Sequence, residues 1–108
     1  MKYFRVPLYH RSVIILTWDE YSSKFPRDND ENSYAKTNLD GSDVWMTFKP
    51  KFLTPGAIAH ECLHAVNLIF ESAGVDATPV HDEHQAYLLE FIYQNVYDIM
   101  YPKKGSKK

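Results

Sequence analysis

His60-Glu61-Cys62-Leu63-His64 lies in the middle of a run that opens with Thr54-Pro55 and closes at Gly74, and these features read together as one helix. Threonine is a good N-cap, and proline at the first helical position loses no needed hydrogen bond. Ile58, Cys62, Leu63, Val66, Ile69 and Phe70 continue at helical spacing, and Gly74 supplies a C-terminal stop. The spacing predicts a helix over residues 55–73. On such a helix His60 and His64 differ by about 40° around the axis and lie about one turn apart. Their ring nitrogens can then converge on one ion. Glu61, rotated away from His60, can approach a water in the open position without being a ligand. Two neutral imidazoles and an adjacent carboxylate suit zinc, with Glu61 as general base.

With 5 His and 6 Glu in 108 residues, roughly one per cent of shuffled sequences would carry these three residues at this spacing. Chance is a poor explanation of the pattern. Cys62 is by type a metal ligand or a nucleophile. Its place among Ile58, Val66 and Ile69 predicts a buried, inert thiol instead.

Thr78-Pro79 repeats the start signal, and a second helix is expected to run to about Met100, before Pro102. A catalytic zinc usually takes three protein ligands. His81-Asp82-Glu83-His84, at the start of this helix, is the densest cluster of candidates for the third. Val80, Leu88, Phe91, Ile92 and Ile99 share a broad apolar arc, with His81 and His84 inside it and Glu83 toward its edge near Tyr87. Periodicity favours a histidine and leaves Glu83 open. His81, His84 and Tyr87 are also candidates to stabilise an oxyanion. Glu90 reads as a solvent-exposed acid.

Toward the N-terminus, residues 3–9 and 13–18 read as two short strands close enough for an antiparallel hairpin, with His10 in the turn. Residues 19–25 suit a short helix or turn, and Pro26 ends it. The polar stretch 27–36 reads as an exposed loop. Asp40-Gly41 signals a turn, and Val44, Trp45, Met46, Thr47 and Phe48 read as a third strand. Val44, Met46 and Phe48 would share one face, with Trp45 and Thr47 on the other. If that strand forms the edge of the sheet, an extended peptide could pair with it; a core strand is an equal reading. The expected architecture is α+β, a small mostly antiparallel three-stranded sheet packed on two long helices.

The size allows a single domain over residues 1–102, with residues 103–108 as a basic, flexible tail carrying Lys103, Lys104, Lys107 and Lys108. A net charge of −2 gives no electrostatic basis for nucleic-acid binding. The apolar run 13–16 is too short for a membrane span, and residues 1–9, with Lys2, Arg5 and Pro7, do not read as a signal peptide. One cysteine permits no internal disulfide, which is compatible with the cytoplasm.

The two-histidine motif, followed by Glu83 within Asp82-Glu83-His84-Gln85-Ala86, resembles the gluzincins, thermolysin-like zinc metallopeptidases whose third ligand is a glutamate on a downstream helix. The stretch from Asp82 to Leu88 is similar to the second-helix segment of small phage-encoded proteins assigned as metallopeptidases on this motif. The resemblance covers residues 54–93 best. It implies a minimal zincin-like fold, zinc held by His60, His64 and Glu83, Glu61 as base and proton shuttle, a peptide or protein substrate, and the cytoplasm of a bacterial host. Where larger gluzincins place an aspartate four residues after the ligand glutamate, this chain has Tyr87, and it has no room for their second catalytic subdomain. These departures make a second expectation, a zinc-binding accessory or anti-defence protein that acts by binding a partner without turnover. Hydrolysis of a non-peptide amide is a third.

Overall fold

A computed structural model describes residues 1–28, 30, 32–75 and 82–103; for Asp82 only the backbone is described. The fold is α+β. It contains β1 (Lys2–Val6), β2 (Arg11–Leu16), α1 (Trp18–Lys24), β3 (Ala35–Asp40), β4 (Asp43–Phe48), a 3-10 turn at Pro50–Phe52, α2 (Pro55–Ala73) and α3 (Asp82–Met100).

The four strands form one sheet in the order β1-β2-β4-β3. β1 and β2 make the expected antiparallel hairpin, with Lys2 opposite Ile15 and Val6 opposite Arg11. Its turn places His10 at a positive φ of 53°. The rest of the sheet corrects the expectation of three mostly antiparallel strands. β2 and β4 run parallel, Val13 beside Val44 and Leu16 beside Thr47. Parallel neighbours need a crossover, and the chain makes it through α1 and the additional strand β3. β3 returns antiparallel to β4 across a tight turn, Asp40 opposite Asp43, in which Gly41 takes the left-handed conformation (φ 66°) that glycine adopts without steric penalty. β4 is therefore an interior strand, paired on both sides. The edge position considered for Val44 to Phe48 belongs to β3.

The two faces of the sheet are covered differently. Alternation along β4 turns Val44, Met46 and Phe48 to one face, where they are buried with Val13, Ile15, Ile58, Val66, Ile69, Leu88, Ile92 and Val96. This is the main core, roofed by α2 and α3. The opposite face carries Ile14 and Leu16, buried together with Tyr21 of α1, with Phe25 and Trp45 against them. Its cover is α1, a short helix held by a capping box between Thr17 and Glu20.

α2 has the bounds its sequence predicts. The Thr54 hydroxyl accepts from the Ala57 N–H at 3.0 Å, Pro55 occupies the first turn, and Gly74 closes the helix at φ 74°. α3 ends at Met100 as expected; the start signal Thr78-Pro79 lies outside the described residues. Among the described residues, no helix is long and apolar enough to cross a membrane.

Candidate metal centre

Seven side chains of α2 are buried: Ile58, Glu61, Cys62, Ala65, Val66, Ile69 and Phe70. Glu61 is the only charged one. Its neighbours at i−3 and i+4, Ile58 and Ala65, are fully enclosed, so the carboxylate is drawn to the margin of the core and is only 7% exposed. Leaving a buried carboxylate without partners is expensive. Here the hydroxyl of Thr37, on β3, donates to Glu61 Oε1 at 2.6 Å. A short hydrogen bond to a carboxylate is the stronger kind, and it fixes the carboxylate's position. Thr37 reaches it because Ala35, Thr37 and Leu39 turn to the same side of the sheet, the side that α2 covers.

His60 and His64 stand on the exposed side of the same helix. Their rings meet edge to face, with centroids 4.8 Å apart, and their Nε2 atoms are 3.2 Å apart. That spacing tests whether an ion would fit. Two nitrogens at about 2.05 Å from a tetrahedral zinc are separated by about 3.3 Å, so the pair meets the requirement with little rearrangement. One ring nitrogen can meanwhile donate to the other. The ligand atoms of His60, Glu61 and His64 all lie within 4.8 Å of one another, and no other group of three or more His, Cys, Asp or Glu among the described residues comes together in this way.

Of the third-ligand candidates, the described Glu83 and His84 do not join this group. Glu83 is exposed, as are Ala86, Tyr87, Glu90 and Gln94. From α3, Gln85 Nε2 donates to Asn67 Oδ1, on α2, at 3.2 Å. His84 and Tyr87 line a separate groove with Pro7, Leu8, Tyr9 and Phe91. His81 lies outside the described residues. Among the described residues, the structure thus gathers the two histidines and Glu61 and brings no side chain of α3 into the group.

Cys62 is fully buried. Removal from water, with the Glu61 charge adding to it, pushes its thiol up to about 12, so it is neutral and inert at physiological pH.

Two cavities flank the centre. One, of about 460 Å³, runs along α2 past His60, His64 and Glu71 and is bounded across from them by Asp28, Asp30 and Lys36. Lys36 is held there by the Asp28 carbonyl at 2.7 Å and the Asp28 carboxylate at 3.4 Å. The other, of about 710 Å³, opens beside His60 and Glu61 toward Tyr34 and Phe52. The sequence offered one signal for these neighbours. Glu71 is seven residues after His64, and hence on the same stripe of α2. Thr37, Tyr34 and Asp28 had none, because the strand and turns that present them carry no motif. Comparison with family models, curated proteins and solved structures returned no match.

Proposed function

We propose that this chain is a zinc-dependent peptidase, a minimal zincin acting in the cytoplasm, in which His60 and His64 hold the ion and Glu61 moves the proton. The observation that carries the proposal is the pairing of two Nε2 atoms 3.2 Å apart with a buried carboxylate that Thr37 fixes beside them. Zinc, when bound, supplies Lewis acidity that makes water a nucleophile at neutral pH and polarises a carbonyl. Glu61 removes a proton from the attacking water and delivers it to the departing amine. One of its oxygens accepts from Thr37, and a carboxylate retains further lone pairs for that proton. An extended peptide substrate can add to the outer edge of β3, whose other side is paired with β4, so that its backbone passes Thr37 and Glu61. Glu83 enters as third ligand through the resemblance to gluzincins, and zinc retention by Glu83→Ala decides it.

A second reading keeps the zinc and drops the turnover. The position of Glu83 outside the His60–Glu61–His64 group favours it, since two histidines alone leave a catalytic zinc short of one protein ligand. In that reading the chain is an accessory or anti-defence protein of phage origin that binds a partner. Cleavage of an unfolded protein substrate by zinc-loaded wild type and zinc-loaded Glu61→Gln separates the two. The peptidase reading predicts a rate lower by about 10²–10⁴-fold in the variant with equal zinc content. Equal behaviour of the two proteins leaves the binding reading.

A further inference from the structure

The cavity of about 710 Å³ beside His60 and Glu61 is of the size that ligand sites take. Its far wall is aromatic. The Tyr34 and Phe52 rings stack with centroids 4.6 Å apart and planes at 23°, yet Tyr34 remains 59% exposed and Phe52 42% exposed. Both rings line the cavity, one from the residue that precedes β3 and the other from the 3-10 turn that leads into α2. Tyr34 is anchored by its carbonyl, which accepts from the Lys49 N–H at 2.8 Å, and Phe52 closes the 3-10 turn by donating to the Lys49 carbonyl at 3.0 Å. The platform is therefore built by the backbone as well as by the rings.

The floor is the first turn of α2, where Gly56 and Ala57 leave space. A Cβ at Gly56 would meet nothing nearer than Thr54 Oγ1 at 3.8 Å, an ordinary contact. No packing constraint at this position, in the first turn of α2, requires glycine. What glycine does provide here is depth. Lys51, whose Nζ lies 5.9 Å from the Phe52 centroid, puts a positive charge on the rim. The cavity's other charge, the Glu61 carboxylate, belongs to the centre; the Lys51 charge is the one beside the aromatic pair and disfavours a basic occupant there.

We infer that this cavity is the side-chain subsite of the centre and takes an aromatic residue of a peptide, stacked on the Tyr34–Phe52 platform, in preference to small or basic ones. The identity of the occupant as a peptide rests on the proposed function; the aromatic preference rests on the cavity. Aromatic rings pair in offset or tilted geometry at centroid distances of about 4.5–7 Å, which the exposure of Tyr34 and Phe52 permits. Burial of the occupant's ring adds to that pairing.

The test is equilibrium binding of blocked nonapeptides, identical except for Phe, Leu, Ala or Lys at one central position, to zinc-loaded Glu61→Gln protein, observed by nuclear magnetic resonance. The Phe peptide is expected to bind at least about tenfold more tightly than the Ala peptide, with Lys weakest. Phe52→Ala and Gly56→Leu are each expected to abolish the difference. Gly56→Leu keeps the fold, because leucine is the better helix former and the space is open, so its thermal midpoint verifies that binding alone is lost. Equal affinity for the Phe, Leu and Ala peptides, no binding of any, or an undiminished Phe preference in Gly56→Leu overturns the inference. Parallel cleavage of the same peptides by wild type keeps the two claims apart. Selective binding without cleavage removes the peptidase and leaves the subsite, whereas cleavage without aromatic preference removes the subsite and leaves the peptidase.

Discussion

The two faces of the sheet solve different problems. On the face covered by α2 and α3, aliphatic side chains from three strands and both helices enclose one another, and the charge admitted there, Glu61, has a hydroxyl partner from β3. On the face covered by α1, a cluster of three buried hydrophobic residues is surrounded by lysines that lie against aromatic rings. Lys24 sits 4.1 Å from the Trp45 centroid, and Lys36 and Lys49 sit 4.9 and 4.6 Å from that of Trp18. The first face holds the molecule together and carries the centre at its margin. The second screens the sheet with a short helix and amphipathic lysine stems. Stability and chemistry are thus combined on one face, but on opposite sides of α2: Ile58 and Val66 look inward, His60 and His64 outward.

Substitutions can break this contrast at several depths. The largest effect is expected inside the α2–α3 face. Ile58→Ala or Ile92→Ala, each removing a fully buried side chain, should lower stability by about 2–5 kcal/mol in urea denaturation. His60→Ala, on the exposed side of the same helix, should leave the metal-free stability nearly unchanged. A smaller effect of opposite sign is expected on the α1 face. Thr47 is fully buried, and its Oγ1 has no hydrogen-bond partner among the described residues. Thr47→Val removes that unsatisfied hydroxyl with little change of shape and should stabilise by about 1 kcal/mol, seen as a rise in thermal midpoint.

The smallest effect belongs to Tyr21 and is confined to alkaline pH. Burial, with the nearby Asp28 charge adding to it, raises its phenol above the ordinary value of 10.0. The folded chain therefore keeps a proton that the unfolded chain loses. Stability is whole below pH 10 and falls as pH rises through the range where an unfolded tyrosine ionises. Tyr21→Phe should flatten that decline in denaturation curves collected from pH 8 to 11.

Legibility in the sequence follows the same division. α2 could be placed to the residue because each of its determinants is local: the Thr54 cap, Pro55, an apolar stripe and the Gly74 stop. The face of β4 was legible for the same reason, since strict alternation of Val44, Met46 and Phe48 has one burial solution. β3 was not legible. Ala-Lys-Thr-Asn-Leu-Asp has little β-branched or aromatic content, and the strand exists because the Gly41 turn folds it back along β4. Without β3 the sequence leaves edge and core positions equally open for β4, and it gives no sign of Thr37, whose hydroxyl holds Glu61. The centre was half legible in consequence. Residues four apart on a helix declare their proximity, but a partner from another element is fixed by tertiary packing, as the Gln85–Asn67 contact between α3 and α2 illustrates.

The central claim is that His60 and His64 form a zinc site. Its direct measurement is zinc per chain, by elemental analysis after dialysis against trace zinc, for wild type, His60→Ala and His64→Ala. One zinc per wild-type chain and loss from both variants, each still folded by circular dichroism, is the predicted result. A folded wild-type chain that retains no zinc, or histidine variants that retain as much as wild type, would contradict it.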